Sequence, residues 1–326
     1  MRKLLLGTTA LAAATAMSAS ALADVSIAGN YEFKYKSESS QVATKDGTTM
    51  GHGGNDLVLT FTNKTDSGLT LAYRYDVTDM TADGGNMSGD ENSLSISGGF
   101  GKIVLGTDDD ASDSYNIDEM DLPTEEPGST FASSSIGSSS SIGSSDDMKV
   151  AYHLPAMGGL TAGISFADSG TNTGTDKTAM GARYSMTAGG AAITLGYATS
   201  TKEATDKDTD ETNMGLKIVS GDLSMIVSQG SYEEADEDRD NQGASVAYNM
   251  GNGMVASAYR FKSEDALDAG EELSRSGVEV AYTIASGLTA VVNVEDYDYK
   301  VGTGHESGDT VNDNGTATTL TIKAAF

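Results

Sequence analysis

Apolar and polar residues alternate at successive positions along most of this chain. Between positions 24 and 36, Val25, Ile27 and Tyr31 share one face, and the positions between them are mostly polar. Because successive side chains of a strand point to opposite sides, this period of two predicts a strand with one apolar face and one polar face. The pattern recurs in sixteen segments, at 24–36, 55–64, 69–78, 92–98, 101–107, 147–154, 159–167, 178–187, 190–199, 212–219, 222–232, 243–250, 253–263, 274–285, 287–299 and 316–326.

The connections between these segments alternate between short Gly-rich turns and long polar stretches. Turns such as Ala188-Gly-Gly190 and Ser220-Gly221 alternate with the stretches 37–54, 79–91, 108–146, 168–177, 200–211, 233–242, 264–273 and 300–315. Short turns at one end and long loops at the other are typical of a membrane barrel. We therefore predict an all-β fold, a 16-stranded antiparallel transmembrane β-barrel with long outer loops. A secreted, calcium-stabilised β-sheet surface or binding protein is the alternative, because soluble sandwiches alternate too.

The N-terminus and the composition narrow the location and the partners. Arg2 and Lys3 precede an apolar segment and the small-residue site Ala21-Leu22-Ala23, so residues 1–23 are predicted to be a cleaved secretory signal peptide and 24–326 a single barrel domain. An uncleaved anchor helix is the alternative interpretation. The absence of Cys excludes disulfides and thiolate sites. A formal net charge of −28 attracts cations and argues against nucleic acid as a partner.

The longest connection, 108–147, is acidic and contains neither Lys nor Arg. Loops of this length inside a compact fold are usually functional or disordered. The segment is therefore either an acidic surface loop or a loop that folds inward and narrows the lumen.

Several short motifs around this loop resemble one family of channels. They are Gly101-Lys-Ile-Val-Leu-Gly-Thr-Asp108, Asp113-Ser-Tyr115, Asp118-Glu-Met120, Met148-Lys-Val-Ala-Tyr152 and Gly159-Leu-Thr-Ala-Gly163. Together they resemble the general diffusion porins of α-proteobacteria, the Rhodobacter-type porins. The closing strand, which ends on Phe326, resembles the last strand of bacterial outer-membrane barrels. The resemblance implies a homotrimer in a Gram-negative outer membrane, and a third loop folded into each channel.

The resemblance also implies an acidic loop facing basic side chains across a constriction. Carried over to this chain, the basic wall is Lys34, Lys36 and Arg74 on the first and third predicted strands. The acidic loop side is Asp108, Asp109, Asp113, Asp118, Glu119 and Asp121. The expected function is a water-filled pore for passive diffusion of ions and small hydrophilic solutes, with a cation preference. Outer-membrane lipid and the barrel-assembly machinery, which reads Phe326, are the expected partners.

Other chemistry is sparsely represented. Asp206, Asp208 and Asp210 have the spacing of a Ca²⁺ loop, but Glu211 and Lys217 occupy positions where an EF-hand needs Gly and Glu. They are therefore candidate ligands for loosely bound Ca²⁺ only, and no other cofactor is expected. The three His residues are isolated, and Ser has no local His or Asp partner. We expect no enzymatic activity.

Overall fold

The computed structural model describes residues 23–42, 44–78, 88–125, 139–140, 142, 147–168, 176–203, 207–235, 237–267, 270–302 and 312–326. Nearly all of them lie in strands. The strands are β1 (Asp24–Ser40), β2 (Gly47–His52), β3 (Leu57–Lys64), β4 (Thr70–Thr78), β5 (Ser88–Gly98), β6 (Gly101–Thr107), β7 (Met148–His153), β8 (Leu160–Ala167), β9 (Lys177–Ala188), β10 (Ala191–Lys202), β11 (Thr209–Ser220), β12 (Leu223–Glu233), β13 (Asp238–Gly251), β14 (Met254–Asp265), β15 (Glu272–Ala285), β16 (Leu288–Lys300) and β17 (Asp313–Ala325).

These strands form one closed antiparallel sheet. From β3 to β17 each strand pairs with the next one in the chain, and β17 pairs with β1 from Asn30↔Ala325 to Ser40↔Gly315. The backbone N–H of Phe326 donates to Gly29 O at 2.8 Å, which ties down the end of the chain. β2 and β3 both pair with β1, one above the other, so together they occupy one strand position in the barrel. The barrel therefore has the sixteen strand positions that the sequence predicts, and its single closed sheet excludes a two-sheet sandwich.

Each strand presents apolar side chains outward and mostly polar side chains inward. Val25 and Ile27 are 56% and 67% exposed, and most other large exposed apolar residues lie on the same outer face. A continuous apolar surface of this kind needs an apolar partner, which lipid supplies. In the described part of the chain, no helix is long and apolar enough to cross a membrane.

Glycines determine the backbone conformation of the tight turns at one end of the barrel. The Ala188–Ala191 turn joins β9 to β10 through Gly189 and Gly190, with φ of 57° and 85°. Consecutive residues in this left-handed region form the hairpin turn whose twist matches that of paired strands, and only Gly adopts it without strain.

At the opposite end the strands run further than the alternation predicts. The stretch 37–54 was expected to be a loop, but β1 continues to Ser40 and β2 occupies Gly47–His52. The same correction applies at 200–211, 233–242 and 264–273, which β10, β11, β13, β14 and β15 partly occupy. Beyond the apolar belt both faces of a strand are wet, so backbone pairing continues while the alternation disappears.

One strand has the opposite facing from that predicted. The alternation of apolar and polar residues in β14 predicts that Arg260 and Lys262 point into the lumen, yet Ser245 pairs with Tyr259 and places Tyr259 and Phe261 on the inner face. Phe261 packs there with the buried Leu273, while Arg260 lies on the outer face. Alternation failed here because β14 carries small alanines outward and large aromatics inward. Residues 1–22, most of the predicted signal peptide, lie outside the described residues, so the cleavage stays a prediction.

Candidate functional site

The acidic segment after β6 runs inside the barrel, and its first anchor is a buried ion-pair cluster. Asp110 Oδ1 lies 3.0 Å from Lys149 Nζ, and its Oδ2 lies 2.6 Å from Lys177 Nζ. All three groups are nearly inaccessible to solvent. Ala111 N then donates to Ser165 Oγ on β8 at 2.9 Å. Because both lysines lie on wall strands, β7 and β9, these contacts fix where the segment enters the lumen.

A row of inward-facing glycines makes room for the middle of the segment against the wall. We call these six residues, one from each strand from β8 to β13, the glycine track: Gly163, Gly181, Gly196, Gly215, Gly230 and Gly243. A Cβ built at any of them would lie under 3.0 Å from an atom of the segment or of the wall that supports it. The backbone of the segment can approach the wall this closely only because these positions lack side chains.

Tyr115 and Ile117 occupy the first half of the glycine track. A Cβ at Gly181 would lie 2.7 Å from Tyr115 Cβ, and one at Gly215 would lie 2.6 Å from Ile117 Cβ. Tyr115 is buried, and its hydroxyl is hydrogen-bonded to His153 Nδ1 on β7 at 2.8 Å. Two 3₁₀ turns, Asp113–Tyr115 and Glu119–Asp121, give the segment the compact backbone that points these side chains at the wall.

Glu119 occupies the second half of the glycine track as a fully buried carboxylate. It accepts hydrogen bonds from Ser228 Oγ on β12 at 2.8 Å and from Ser140 N at 3.2 Å. The Ser140 hydroxyl donates to it as well. A carboxylate out of contact with water needs such donors. We had placed Glu119 at the pore surface, but here its role is to fasten the segment to the wall.

The far end of the described segment is fixed by a second charged cluster. Glu279 on β15 accepts from Thr124 N at 2.7 Å and from Glu125 N at 3.0 Å. The buried Glu125 carboxylate pairs with Lys34 on β1 and, at 3.1 Å, with Lys323 on β17. The segment 108–125 therefore runs along the inner wall from β7 to β17 and β1, and it leaves the inner face of β3–β6 opposite.

The six predicted acidic residues separate into two groups. Asp108, Asp109, Asp113 and Asp121 remain partly or fully exposed, whereas Asp118 and Glu119 are buried. Asp118 accepts from Met120 N at 2.8 Å and from Asn116 Nδ2 at 2.9 Å. Burial, with the neighbouring carboxyls of Glu119 and Asp121, raises the pKa of Asp118 to about 7. Burial also raises the pKa of Asp113 and of Asp121, against the opposing charge of Arg183.

The three predicted wall cations all lie on the inner face, and each is paired with a carboxylate. Lys34 pairs with Glu125 of the segment. Lys36 Nζ lies 3.0 Å from Glu38 on the same strand. Arg74, whose side chain is 40% exposed, pairs with Asp76 at 2.7 Å and with Glu91. These three predicted cations therefore contribute little unbalanced positive charge to the lumen.

Strand alternation assigns Lys149, Arg183 and Lys217 to the inner face, but sequence reasoning did not place the segment over them, and it left Lys177 in a loop. Arg183 on β9 donates to Asn116 O, and the charges of Arg183 and Lys217 both act on Asp121. Lys149 and Lys177 hold Asp110. Strand alternation indicates which of these side chains point inward, but nothing local in the sequence indicates where the segment crosses them. The glycine track was also visible, as one inward Gly on each of six successive strands.

The candidate Ca²⁺ ligands are not assembled by the described residues into a site. Asp206 lies outside the described residues, and Asp210 accepts from Thr201 Oγ1 at 2.6 Å. A different group of three carboxyls, Glu91, Asp108 and Asp109, has oxygens within 4.8 Å of one another at the start of the segment. Calcium binding at Asp206, Asp208 and Asp210 stays a prediction.

Comparison with solved structures shows the same architecture over nearly the whole chain. The anion-selective porin from Comamonas acidovorans is 16% identical with a TM-score of 0.70, over 94% of this chain and 100% of that one. The trimer form of OmpT from Vibrio cholerae is 14% identical with a TM-score of 0.68, over 93% and 99%. A mutant of the Rh. blastica porin is 17% identical with a TM-score of 0.66, over 93% and 100%.

Comparison of the sequence with known families gives the assignment. No curated protein sequence matches this chain. The profile of the Gram-negative porin family matches residues 7–324, which is nearly the entire length. With the closed 16-stranded barrel, this match confirms the resemblance found in the sequence. The chain belongs to the Gram-negative porin family.

Proposed function

We propose that the protein is a passive channel through which ions and small hydrophilic solutes cross the outer membrane. The observation that carries the proposal is the acidic segment seated across the inside of a closed barrel. Its path along β7–β17 leaves a passage between the segment and the inner face of β3–β6. Lys64 and Lys102 on that face are exposed, as expected for a wall in contact with water.

The charges along this passage support a cation preference. On the segment side, Asp108, Asp109 and Asp113 are partly exposed and Asp121 is exposed. On the wall, the predicted cations are each paired with a carboxylate. Rings of acidic side chains at a constriction favour cations over anions. The fold alone does not decide this property, because the Comamonas relative is described as anion-selective.

Reversal potentials in planar bilayers under a KCl gradient test the preference. We expect the wild type to favour K⁺, and the double variant Asp113→Asn/Asp121→Asn to favour it less. Asp66→Asn, at the β3–β4 turn, is a control with the same chemical change away from the passage. An anion preference in the wild type, or equal potentials for both variants, would contradict the proposed selectivity.

We also propose the assembly and the location that the family and its relatives suggest. One solved relative is described as a trimer, and we propose a homotrimer here too. Phe326 is 85% exposed at the end of β17, where the barrel-assembly machinery can reach it. Replacing Phe326 with Ser is expected to lower the amount of heat-modifiable barrel in outer-membrane fractions without changing export. We propose a passive channel without enzymatic activity.

A further inference from the structure

Charges of opposite sign lie at the two ends of one part of the inner wall, β3–β6. Toward the long-loop end, Asp76 on β4 and Glu91 on β5 both pair with Arg74. Asp108 and Asp109 follow β6 at the same end, and their carboxylate oxygens lie within 4.8 Å of a Glu91 oxygen. We call these four carboxylates the acidic zone. Because Arg74 is the one cation that pairs with them among the described residues, the zone is negatively charged.

The opposite end of the same wall is positively charged. Lys64 is the last residue of β3 and Lys102 is the second of β6, and pairing through Thr70 and Ser97 places both in one inward-facing row. Both lysines are exposed, and neither forms an ion pair or hydrogen bond with another described residue. We call the two lysines the basic zone. Asp66 lies beyond the end of the strand, on the exposed β3–β4 turn.

The two zones are too far apart to cancel each other in salt solution. Asp108 lies six residues beyond Lys102 in the chain. Six residues of a strand tilted by roughly 40° cover about 20 Å along the strand and about 15 Å along the barrel axis. Exposed charges are largely screened from one another beyond about 8 Å at physiological ionic strength. The acidic zone therefore concentrates cations near the long-loop end, and the basic zone concentrates anions near the short-turn end.

We propose that this separation makes the channel conduct ions better in one direction than in the other. A voltage that is positive on the long-loop side drives cations in past the acidic zone and anions in past the basic zone. Both ions then accumulate in the passage, and its conductance rises. The opposite voltage draws both ions out past the zones that attract them, so the passage is depleted and its conductance falls.

The direction follows from the orientation of such barrels. Their long loops face the exterior and their short turns face the periplasm. The acidic zone therefore lies toward the exterior, and the channel favours entry of cations and exit of anions over the reverse movements. This inference rests on the channel proposed above and adds a direction to it.

Single-channel currents in planar bilayers, recorded at equal and opposite voltages, test the inference. In about 0.1 M KCl, where the screening length is about 10 Å, we expect the larger current to exceed the smaller by about 1.3-fold or more. In about 1 M KCl, where the screening length falls to about 3 Å, the two currents should become nearly equal. The ratio of larger to smaller current does not depend on which way a channel inserts.

Lysine variants at the two ends of the barrel locate the origin of the effect. Lys64→Gln and Lys102→Gln should each lower the current ratio at low salt, and the double variant should make the two currents nearly equal. Lys202→Gln is the matched control, because Lys202 is an exposed cation at the long-loop end of β10. Lys202 pairs in register with Lys177, whose side chain reaches Asp110 inside the barrel, so it also faces inward. This control should not lower the ratio, since it makes the long-loop end more negative.

Four outcomes would overturn the inference. Equal currents in the wild type at low salt show that the two zones do not direct conduction, although the channel itself stands. A ratio that persists in 1 M KCl shows a voltage-driven change of conformation instead of an effect of fixed charge. Equal ratios in the control and in the double lysine variant show that the basic zone has no part in the asymmetry. A folded protein without conductance overturns the proposed channel and this inference together, and heat-modifiable migration verifies folding of each variant.

Discussion

Adding one methyl group to the glycine track is expected to push the acidic segment into the passage. In Gly215→Ala the new Cβ would lie 2.6 Å from Ile117 Cβ and 2.9 Å from Ile117 C. Carbon atoms in contact lie about 3.5–4.0 Å apart, so the segment must move inward by about 1 Å. The wall strand is hydrogen-bonded on both sides, to β10 and β12, and it is therefore the stiffer partner.

The expected result is a narrower passage and a less stable barrel. Single-channel conductance in 1 M KCl should fall by roughly 10–30%, since the constriction limits the flow of ions. Overpacking of this kind costs about 1–3 kcal/mol, and urea unfolding in detergent would show it as an earlier midpoint. Liposome swelling with sugars of increasing size would report the loss of permeation for the larger ones.

A graded series separates this effect from a general effect of Gly→Ala. At Gly196 the new Cβ would lie 2.8 Å from Tyr115 O, a milder overlap, and at Gly51 nothing lies within 4 Å. The loss of conductance should therefore follow the order Gly215→Ala, Gly196→Ala, Gly51→Ala, with no loss in the last. Equal conductance in all three variants would refute the view that the glycine track sets the width of the passage.

Three further predictions concern charges on the segment. The pKa of Asp118 is raised to about 7, so lowering the pH from 8 to 6 should protonate its carboxylate and weaken the cation preference. Asp118→Asn should remove this pH dependence from reversal-potential measurements. Asp110→Asn leaves Lys149 and Lys177 buried without their carboxylate, which should destabilise the barrel by about 3–5 kcal/mol in urea unfolding; an unchanged midpoint would contradict the anchoring role. Glu125→Gln removes the carboxylate that pairs with Lys34 and one of the two that pair with Lys323, which keeps Glu32 at 3.2 Å. Reversal potentials should therefore shift toward anions, and a shift toward cations would refute the charge balance.

The alternation predicts the barrel because lipid imposes it. Val278, Val280 and Tyr282 face hydrocarbon, where a charged side chain at the midplane costs about 2–4 kcal/mol, so the period of two is strict across the apolar belt. Beyond the belt this constraint ends, and the alternation does not predict the strand Gly47–His52. β14 shows a second failure, since alanines satisfy the lipid face as well as larger side chains do. Pattern reasoning then assigned the aromatics to the wrong side.

The site is less predictable than the fold because its contacts are distant in sequence. The acidic composition of 108–147 indicated a constriction, but Glu119 and Asp118 look the same in the sequence as the exposed Asp121. The burial of Glu119 follows from the position of Ser228, more than a hundred residues away. Likewise, nothing near Asp110 reveals that Lys149 and Lys177 converge on it. Such pairings depend on the register of the whole barrel.

We propose that the selectivity of the passage depends on which carboxylates lack a cation, rather than on how many carboxylates there are. Asp110 and Glu125, at the two ends of the segment, are each held by two lysines, so their charge serves anchoring. Between these anchors the segment contains no lysine or arginine, and its exposed aspartates face water. The anchors hold the lysines at the two ends of the segment, while Arg183 and Lys217 lie beneath its middle and offset part of the charge of Asp121. The rigidity of the segment and the proposed cation preference therefore both depend on how the wall cations are divided between the anchors and the passage.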